Sequence, residues 1–329
     1  MIQVVILAFE ATPLSSIALP ADIFHAAGTF WNRIFGLPEE PQFSVRIASL
    51  DGRTVRCHKT VSLNPDCALA NIGRPDLLII TGLTDLHSPL LDSRELLNAL
   101  LGLHRQGTVL ASICTGAFIL AATGLLNRKR ATTHWGLANL FARRYPEVIL
   151  EPQQIITDEG SLLCSGGANA GADLALHLVR RYCGSEIACH CARALLLDPA
   201  RTSQAPYETF HSRKNHGDEQ IALVQHWLEK NFPNDIRIDA LARQAAMSRR
   251  TFERRFKNAT GDSPLQYLQR IRVENAKILL ENGLESFETI TSRVGYEDSS
   301  TFRKIFCKTA GLQPSSYREK FSLLALPRT

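Results

Sequence analysis

No CxxC pair, no long block of like charge and no low-complexity tract occurs in the 329 residues. The first absence removes the usual zinc and dithiol layouts. The other two remove charged tails and disordered low-complexity arms. A secretory leader is not expected either. Met1–Phe9 is apolar but has no basic start, and Glu10 follows at once. The longest uncharged stretch, Thr108 to Asn127, is broken by Thr, Ser and Gly. It reads as strand, turn and helix rather than a bilayer span, so no membrane segment is predicted. Eight scattered cysteines need no disulfide framework in a chain of this length and fit a reducing cytoplasm. Cys189-His190-Cys191 invites a metal reading. It lies in a helical pattern, where positions i and i+2 face different ways, so no metal and no cofactor are expected.

What is present divides at about residue 198. Residues 1–210 carry 17 basic and 18 acidic side chains, a net of −1, and residues 211–329 carry 20 and 14, a net of +6. A basic C-terminal third points to a polyanion partner or to a solvated basic face. In residues 1–197, the apolar runs Val4–Phe9, Phe43–Ser49, Leu77–Thr81 and Val109–Ile113 read as strands. Helical patterns cover Ser16–Ala27, Ser93–Arg105, Ala117–Leu125 and Ala168–Tyr182. That alternation predicts an α/β domain, flavodoxin-like, with a mostly parallel sheet and helices on both faces. Ile155–Thr157 and Leu162–Cys164 read as a late hairpin around Asp158-Glu159-Gly160. Residues 198–217 are polar and aperiodic and read as a linker. Residues 218–329 show helical patterns only.

The helical part repeats itself. Thr251-Phe252, Phe256, Gly261, Pro264 and Tyr267 recur 50 residues later as Thr301-Phe302, Phe306, Gly311, Pro314 and Tyr317. Such a repeat marks a duplicated unit. In the first copy, Ile238–Ala245 is a short helix, Ala246-Met247 a turn, and Ser248 the cap of a second helix. Phe252 and Phe256, at i and i+4, face inward. Arg249, Arg250, Glu253, Arg254 and Lys257 then face outward. In the second copy Ser286 caps the first helix and Asp298 the second, with Phe302 and Phe306 inward. Ser299, Ser300, Arg303 and Lys304 face outward. Helix, tight turn and basic second helix make the helix-turn-helix plan, so double-stranded DNA is the expected partner and the domain is all-α with two such units. Arg reads guanine edges, while Lys and Ser hold phosphates. Pro264–Asn282 reads as a connecting helix of roughly 28 Å, suited to adjacent major grooves.

Phe302-Arg303-x-x-Phe306-x-x-x-x-Gly311-x-x-Pro314-x-x-Tyr317-Arg318 resembles the signature of the AraC/XylS family of bacterial regulators. The resemblance covers about 220–322. Ala245 departs from the second copy, which has Gly295 at the aligned place. That substitution is tolerable if the turn avoids positive φ.

Ser112-Ile-Cys114-Thr-Gly116 sits between a strand and a helix, the setting of a nucleophile elbow. The helix that follows is expected to lower the thiol pKa. His134, in Thr132-Thr-His-Trp135, is a possible base. A buried inert Cys with a structural His reads equally well from these residues. Ile17–Phe24, the elbow through Leu126, Thr132–Trp135 and Ser165–Asp173 together resemble the PfpI/ThiJ class of glutamine-amidotransferase-like proteins, in particular members that carry an AraC-type tail. Members that hydrolyse substrates have a Glu where this chain has Ser16, and Asp22 and Glu10 are the nearby acids. Without a Glu there, a Cys-based triad is incomplete. The resemblance therefore implies a sensor domain rather than an enzyme, with no catalytic residues. It implies a transcription regulator that answers to a small metabolite, an amine or amino-acid derivative. Ser16, Cys114, Thr115, His134 and Trp135 would line the effector cleft above the strand ends. Two other readings stay open at this point, an amide hydrolase at Cys114 and an oxidation sensor using the same thiol. A homodimer is expected, and RNA polymerase is a further partner if the protein activates.

Overall fold

The computed structural model describes residues 1–57, 61–212, 214 and 216–323. They form two compact units, Met1–Gln204 and Ala205–Thr329.

The first unit is built on a seven-stranded sheet. Its strands are β1 (Ile2–Leu7), β2 (Phe43–Ser49), β3 (Cys67–Ala68), β4 (Leu77–Ile80), β5 (Val109–Ile113), β6 (Ile156–Asp158) and β7 (Leu162–Ser165). The order is β6-β7-β5-β4-β1-β2-β3, and every pair is parallel except β6 with β7. The late hairpin expected at Asp158–Gly160 is that antiparallel edge. Alternation along the strands divides the core in two. Val4, Ile6, Ile79 and Ile113 pack under α1 (Ser15–Ala26) and α4 (Ala170–Ala194). Val5, Leu7, Leu78 and Leu110 pack under α2 (Arg94–Arg105) and α3 (Gly116–Ala122). A sheet covered on both faces explains strands that are apolar throughout. Gly184 is non-helical (φ 90°) and kinks α4 two residues after the expected end at Tyr182, and a second helical stretch continues to Ala194.

The stretch 198–217 differs from the expected linker, and positions 213 and 215 lie outside the described residues. Its first part belongs to the sheet unit. The Ile155 N–H donates to the Thr202 carbonyl at 3.2 Å and the Gln204 N–H to the Gln153 carbonyl at 2.7 Å. Gln204 is buried, and its amide donates to the carbonyls of Thr133 (2.9 Å), Pro152 and Gln154. The next residues belong to the helical unit. Phe210 packs edge-on against Tyr267 at 5.1 Å, under the Arg270 guanidinium. A polar, aperiodic sequence hides such a strap because its bonds are made by main chain and one amide, not by an apolar stripe.

The helical unit contains α5 (Glu219–Asn231), α6 (Ile238–Gln244), α7 (Arg249–Thr260), α8 (Pro264–Asn282), α9 (Phe287–Arg293), α10 (Ser299–Ala310) and α11 (Pro314–Phe321). α8 has the expected bounds, with a capping box at Ser263 and Gln266 and Pro264 at the first helical position. Each copy has its own core. Phe252, Phe256 and Tyr267 centre one, and Phe302, Phe306 and Tyr317 the other. The same edge-on Phe–Tyr pair recurs, at 5.2 Å for Phe256–Tyr267 and 5.7 Å for Phe306–Tyr317. Gly261 and Gly311 end α7 and α10 in the left-handed region. Most of the repeated residues therefore build scaffold.

One reading of the turns needs correction. The residue that answers Gly295 (φ 87°) is Ala246 (φ 53°), not Ala245, which has φ −81°. The first helices correspond at a spacing of 49 residues and the second helices at 50, because the second turn holds one residue more. Ala246 thus carries a left-handed strain of about 1 kcal/mol that a glycine would not. At Gly295 a Cβ would also lie 2.4 Å from the Pro233 carbonyl oxygen.

Candidate functional site

The basic residues read from the sequence lie on the outward faces of α7 and of α10. Arg250, Arg254 and Lys257 are exposed and make no ion pair among the described residues. Arg249 is held by Glu253 (3.0 Å) and Asp239 (3.3 Å), so Glu253 neutralises a neighbour instead of facing a ligand alone. On α10, Ser300 and Lys304 are exposed, and Ser299 is partly so. Arg303 lies over the Phe287 ring at 4.8 Å and pairs with Glu288 at 3.4 Å. Lys308, one turn beyond Lys304, is also exposed and extends the basic face. Its i+4 spacing was the signal for it. Asp298 caps α10, accepting from the Ser300 and Thr301 N–H groups at 3.0 Å each. The Thr301 hydroxyl and these N–H groups hold its carboxyl below the usual range.

Two buried cations on α8 tie distant segments of the helical unit together and were not read from the sequence. Arg272 is 8% exposed. Its Nε donates to the Phe232 carbonyl and its Nη2 to the Asn234 carbonyl, both at 2.9 Å, and its guanidinium lies over the Tyr296 ring at 4.8 Å. It thereby clamps the loop before α6, in the first copy, to the turn of the second. Lys277, 5% exposed, donates to the Glu208 carbonyl and lies over Tyr317.

In the first unit the elbow has the expected form. Cys114 takes φ 57° between β5 and α3, a strained conformation of the kind stored at functional positions. Gly116 is required there, since a Cβ would lie 2.3 Å from the Ile80 carbonyl oxygen. The thiol, however, departs from expectation. Burial pushes its pKa up, against the pull of Thr115 and the Ala168 N–H. α3 begins at Gly116, just after the thiol, and the pull of the neighbouring hydrogen bonds does not offset that desolvation. No carboxylate and no His134 hydrogen bond acts on the thiol among the described residues. Asp22 is exposed, and Glu10 accepts from the Arg56 N–H at 3.1 Å. His134 is half-buried and desolvation lowers its pKa. Its Nδ1 accepts from the Gly136 N–H at 3.1 Å, which leaves the proton on Nε2. Trp135 is half-buried beside it, with ring centroids 5.3 Å apart.

Ser16 is fully buried and donates its hydroxyl to the Pro13 carbonyl at 2.7 Å. Thr115 donates to the Leu83 carbonyl at 2.7 Å. A crevice of about 450 Å³ opens at the carboxyl ends of β1 and β4, lined by Glu10, Ala11, Leu83, Thr84 and Asp85 among others. None of the five sequence-read residues lines it, but Thr115 bonds directly to its wall at Leu83. Loop residues after β1 and β4 supply the rest, and those carried no motif.

A model of the DJ-1/PfpI family matches residues 3–181. The chain belongs to the DJ-1/PfpI family. In this DJ-1/PfpI chain, residues 241–320 match a helix-turn-helix domain model. It is 28% identical to the HTH-type transcriptional regulator GbdR of Pseudomonas aeruginosa, over 82% of this chain and 73% of that protein. It is also 28% identical to the HTH-type transcriptional regulator CdhR of the same species, over 85% and 82%. The sheet unit shares its fold with a crystal structure of an AraC family transcriptional regulator from Pseudomonas putida. The TM-score is 0.51, the identity 24%, and the match covers 59% of this chain and all of that one. The protein is a DNA-binding transcription regulator of the AraC family with a PfpI-like N-terminal domain. No helix among the described residues is long and apolar enough to cross a membrane.

Proposed function

We propose that this regulator answers to a small amine or amino-acid derivative bound in the crevice beside the elbow. The carrying observation is the crevice itself, at the carboxyl ends of β1 and β4 with the Glu10 and Asp85 carboxylates in its wall. Open α/β sheets place ligands at that edge, and two carboxylates suit a cationic nitrogen. A path for the signal supports the reading. Thr115 bonds Leu83 in the crevice wall, the Thr133 hydroxyl donates to the Cys114 carbonyl at 2.9 Å, and Gln204 donates to the Thr133 carbonyl. Gln204 is the last residue of the sheet unit.

The relatives are regulators, and the thiol has neither an acid partner nor a lowered pKa, so hydrolysis or oxidation at Cys114 has no support here. Dimerisation through the first unit belongs to the same proposal. The exposed apolar residues Ile34, Phe35 and Leu37, neighbours in sequence, support it. As an activator, the DNA-bound dimer would also meet RNA polymerase.

The test is a thermal-shift panel of amines and amino acids on the full chain, repeated with Asp85→Asn. A stabilising amine whose effect is lost in Asp85→Asn, and which changes promoter output, is the expected result. No stabilising amine, or an undiminished response in Asp85→Asn, overturns the proposal.

A further inference from the structure

A second cavity, of about 240 Å³, lies in the sheet unit between α4 and the strap that leads to Gln204. It shares no lining residue with the elbow or the crevice. One wall is a single helical face, Asp173, Leu176, His177 and Arg180 at i, i+3, i+4 and i+7. The opposite wall is Pro199, Arg201 and Thr202.

Most of the charge here is already spent. Arg201 forms a two-pronged pair with Asp173, whose side chain is 8% exposed. His177 Nε2 donates to Asp158 at 2.8 Å, and Arg181 also faces that carboxylate at 3.5 Å. Arg180 is different. It lines the cavity and makes no ion pair or hydrogen bond among the described residues. The Thr202 hydroxyl likewise has no partner among them. Leu176, Pro199 and the Ile155–Ile156 pair supply apolar surface around these two donors. A cation, a hydroxyl donor and an apolar body are the complement of a carboxylate on a short hydrocarbon chain. The volume falls below the roughly 300–1,000 Å³ of drug-sized sites, which restricts the ligand to a small metabolite.

We propose that this cavity binds a short-chain aliphatic carboxylate, gripped by Arg180 and Thr202, and that its binding fastens the strap 199–204. This goes beyond the crevice reading and does not rest on it. The strap is held to the sheet unit by the main-chain bonds Ile155 to Thr202 and Gln204 to Gln153, by Ser203 Oγ to the Gln153 carbonyl at 3.0 Å, by the Arg201–Asp173 pair and by the Gln204 amide. A ligand that bridges α4 to Thr202 binds the docked strap and not the undocked one. Mass action then shifts the population toward the docked state. Since Ala205 begins the DNA-binding unit, the site is a second input to the segment that ends at Gln204.

The probe is sodium butyrate on the full-length protein, at constant ionic strength, with butyramide as the uncharged control. Calorimetric titration should show saturable butyrate binding, at least tenfold weaker in Arg180→Gln and weakened in Thr202→Val, with no matching binding of butyramide. Both variants alter exposed side chains, and circular dichroism checks their fold. Hydrogen exchange of peptides covering 199–204 should slow with butyrate in the wild type and remain unchanged in Arg180→Gln. The site is overturned if butyrate does not saturate, if butyramide binds as well, or if Arg180→Gln binds equally. Saturable binding without slower exchange in the strap overturns the fastening.

Discussion

Arg272 joins the two helix-turn-helix copies through one guanidinium, so its replacement measures how firmly one copy is held to the other. Arg272→Met keeps an unbranched stem of similar reach and removes every donor. The guanidinium makes two bonds of 2.9 Å to the Phe232 and Asn234 carbonyls and covers the Tyr296 ring. A hydrogen bond from a charged group contributes about 1.5–3 kcal/mol, and the cation–π contact about 1 kcal/mol. The cost of desolvating the guanidinium at 8% exposure offsets part of that. Leaving two carbonyls without their donor adds a penalty on the other side. The net expectation is a loss of about 3 kcal/mol, which at roughly 4 °C per kcal/mol for a unit of this size lowers its transition by about 12 °C. Differential scanning calorimetry of the full chain reads this directly, provided that the transition of the helical unit is resolved from that of the sheet unit. Arg272→Lys should fall between the two, since an ammonium cannot span both carbonyls. A shift below about 4 °C in Arg272→Met would mean that the stem, not the donors, holds the copies together, and the reasoning would fail.

Arg254→Ala should weaken binding to promoter DNA more than Arg303→Ala, by about 1–3 kcal/mol against less than about 1. Arg254 makes no ion pair among the described residues, whereas Arg303 must leave Glu288 to reach a base; equal losses in a mobility-shift titration would refute this. The Arg255 hydrogen bonds hold the Asp218 carboxyl below its ordinary range. A depressed folded pKa stabilises above the unfolded value near 3.9 and is lost as pH falls through the folded one. Arg255→Ala should therefore cost about 1 kcal/mol at pH 7, a figure reduced for a side chain 38% exposed, and progressively less below about pH 4. A difference that does not shrink in melts at low pH contradicts the pairing. Because burial raises the Cys114 thiol, iodoacetamide should modify it more slowly at pH 7 than free cysteine, and mass spectrometry of the modified peptide decides. Gly295→Ala should destabilise by about 2 kcal/mol or more through its left-handed φ and the Pro233 carbonyl, while Ala246→Gly is neutral or slightly stabilising; urea melts that rank them the other way refute the turn alignment.

What the sequence determined by itself was whatever is carried by period and by local chemistry. The alternation of apolar runs and helical stripes settled the parallel sheet, because a strand covered on both faces must be apolar throughout. The Phe pairs at i and i+4, with basic residues between them, settled which faces of α7 and α10 are outward. The Ser-x-Cys-x-Gly turn and the caps at Ser248, Ser286 and Asp298 are equally local. The tertiary structure alone decided what depends on distant neighbours. Whether the thiol at position 114 is activated turns on burial and on which charges approach it, neither of which a short motif encodes. The one-residue difference between the two turns appears only when φ values show that Ala246, not Ala245, takes the left-handed place. The strap at 199–204 and the Arg272 clamp are made by main-chain carbonyls and single side chains from segments far apart in sequence. Such contacts leave no periodic trace, so only the folded chain displays them.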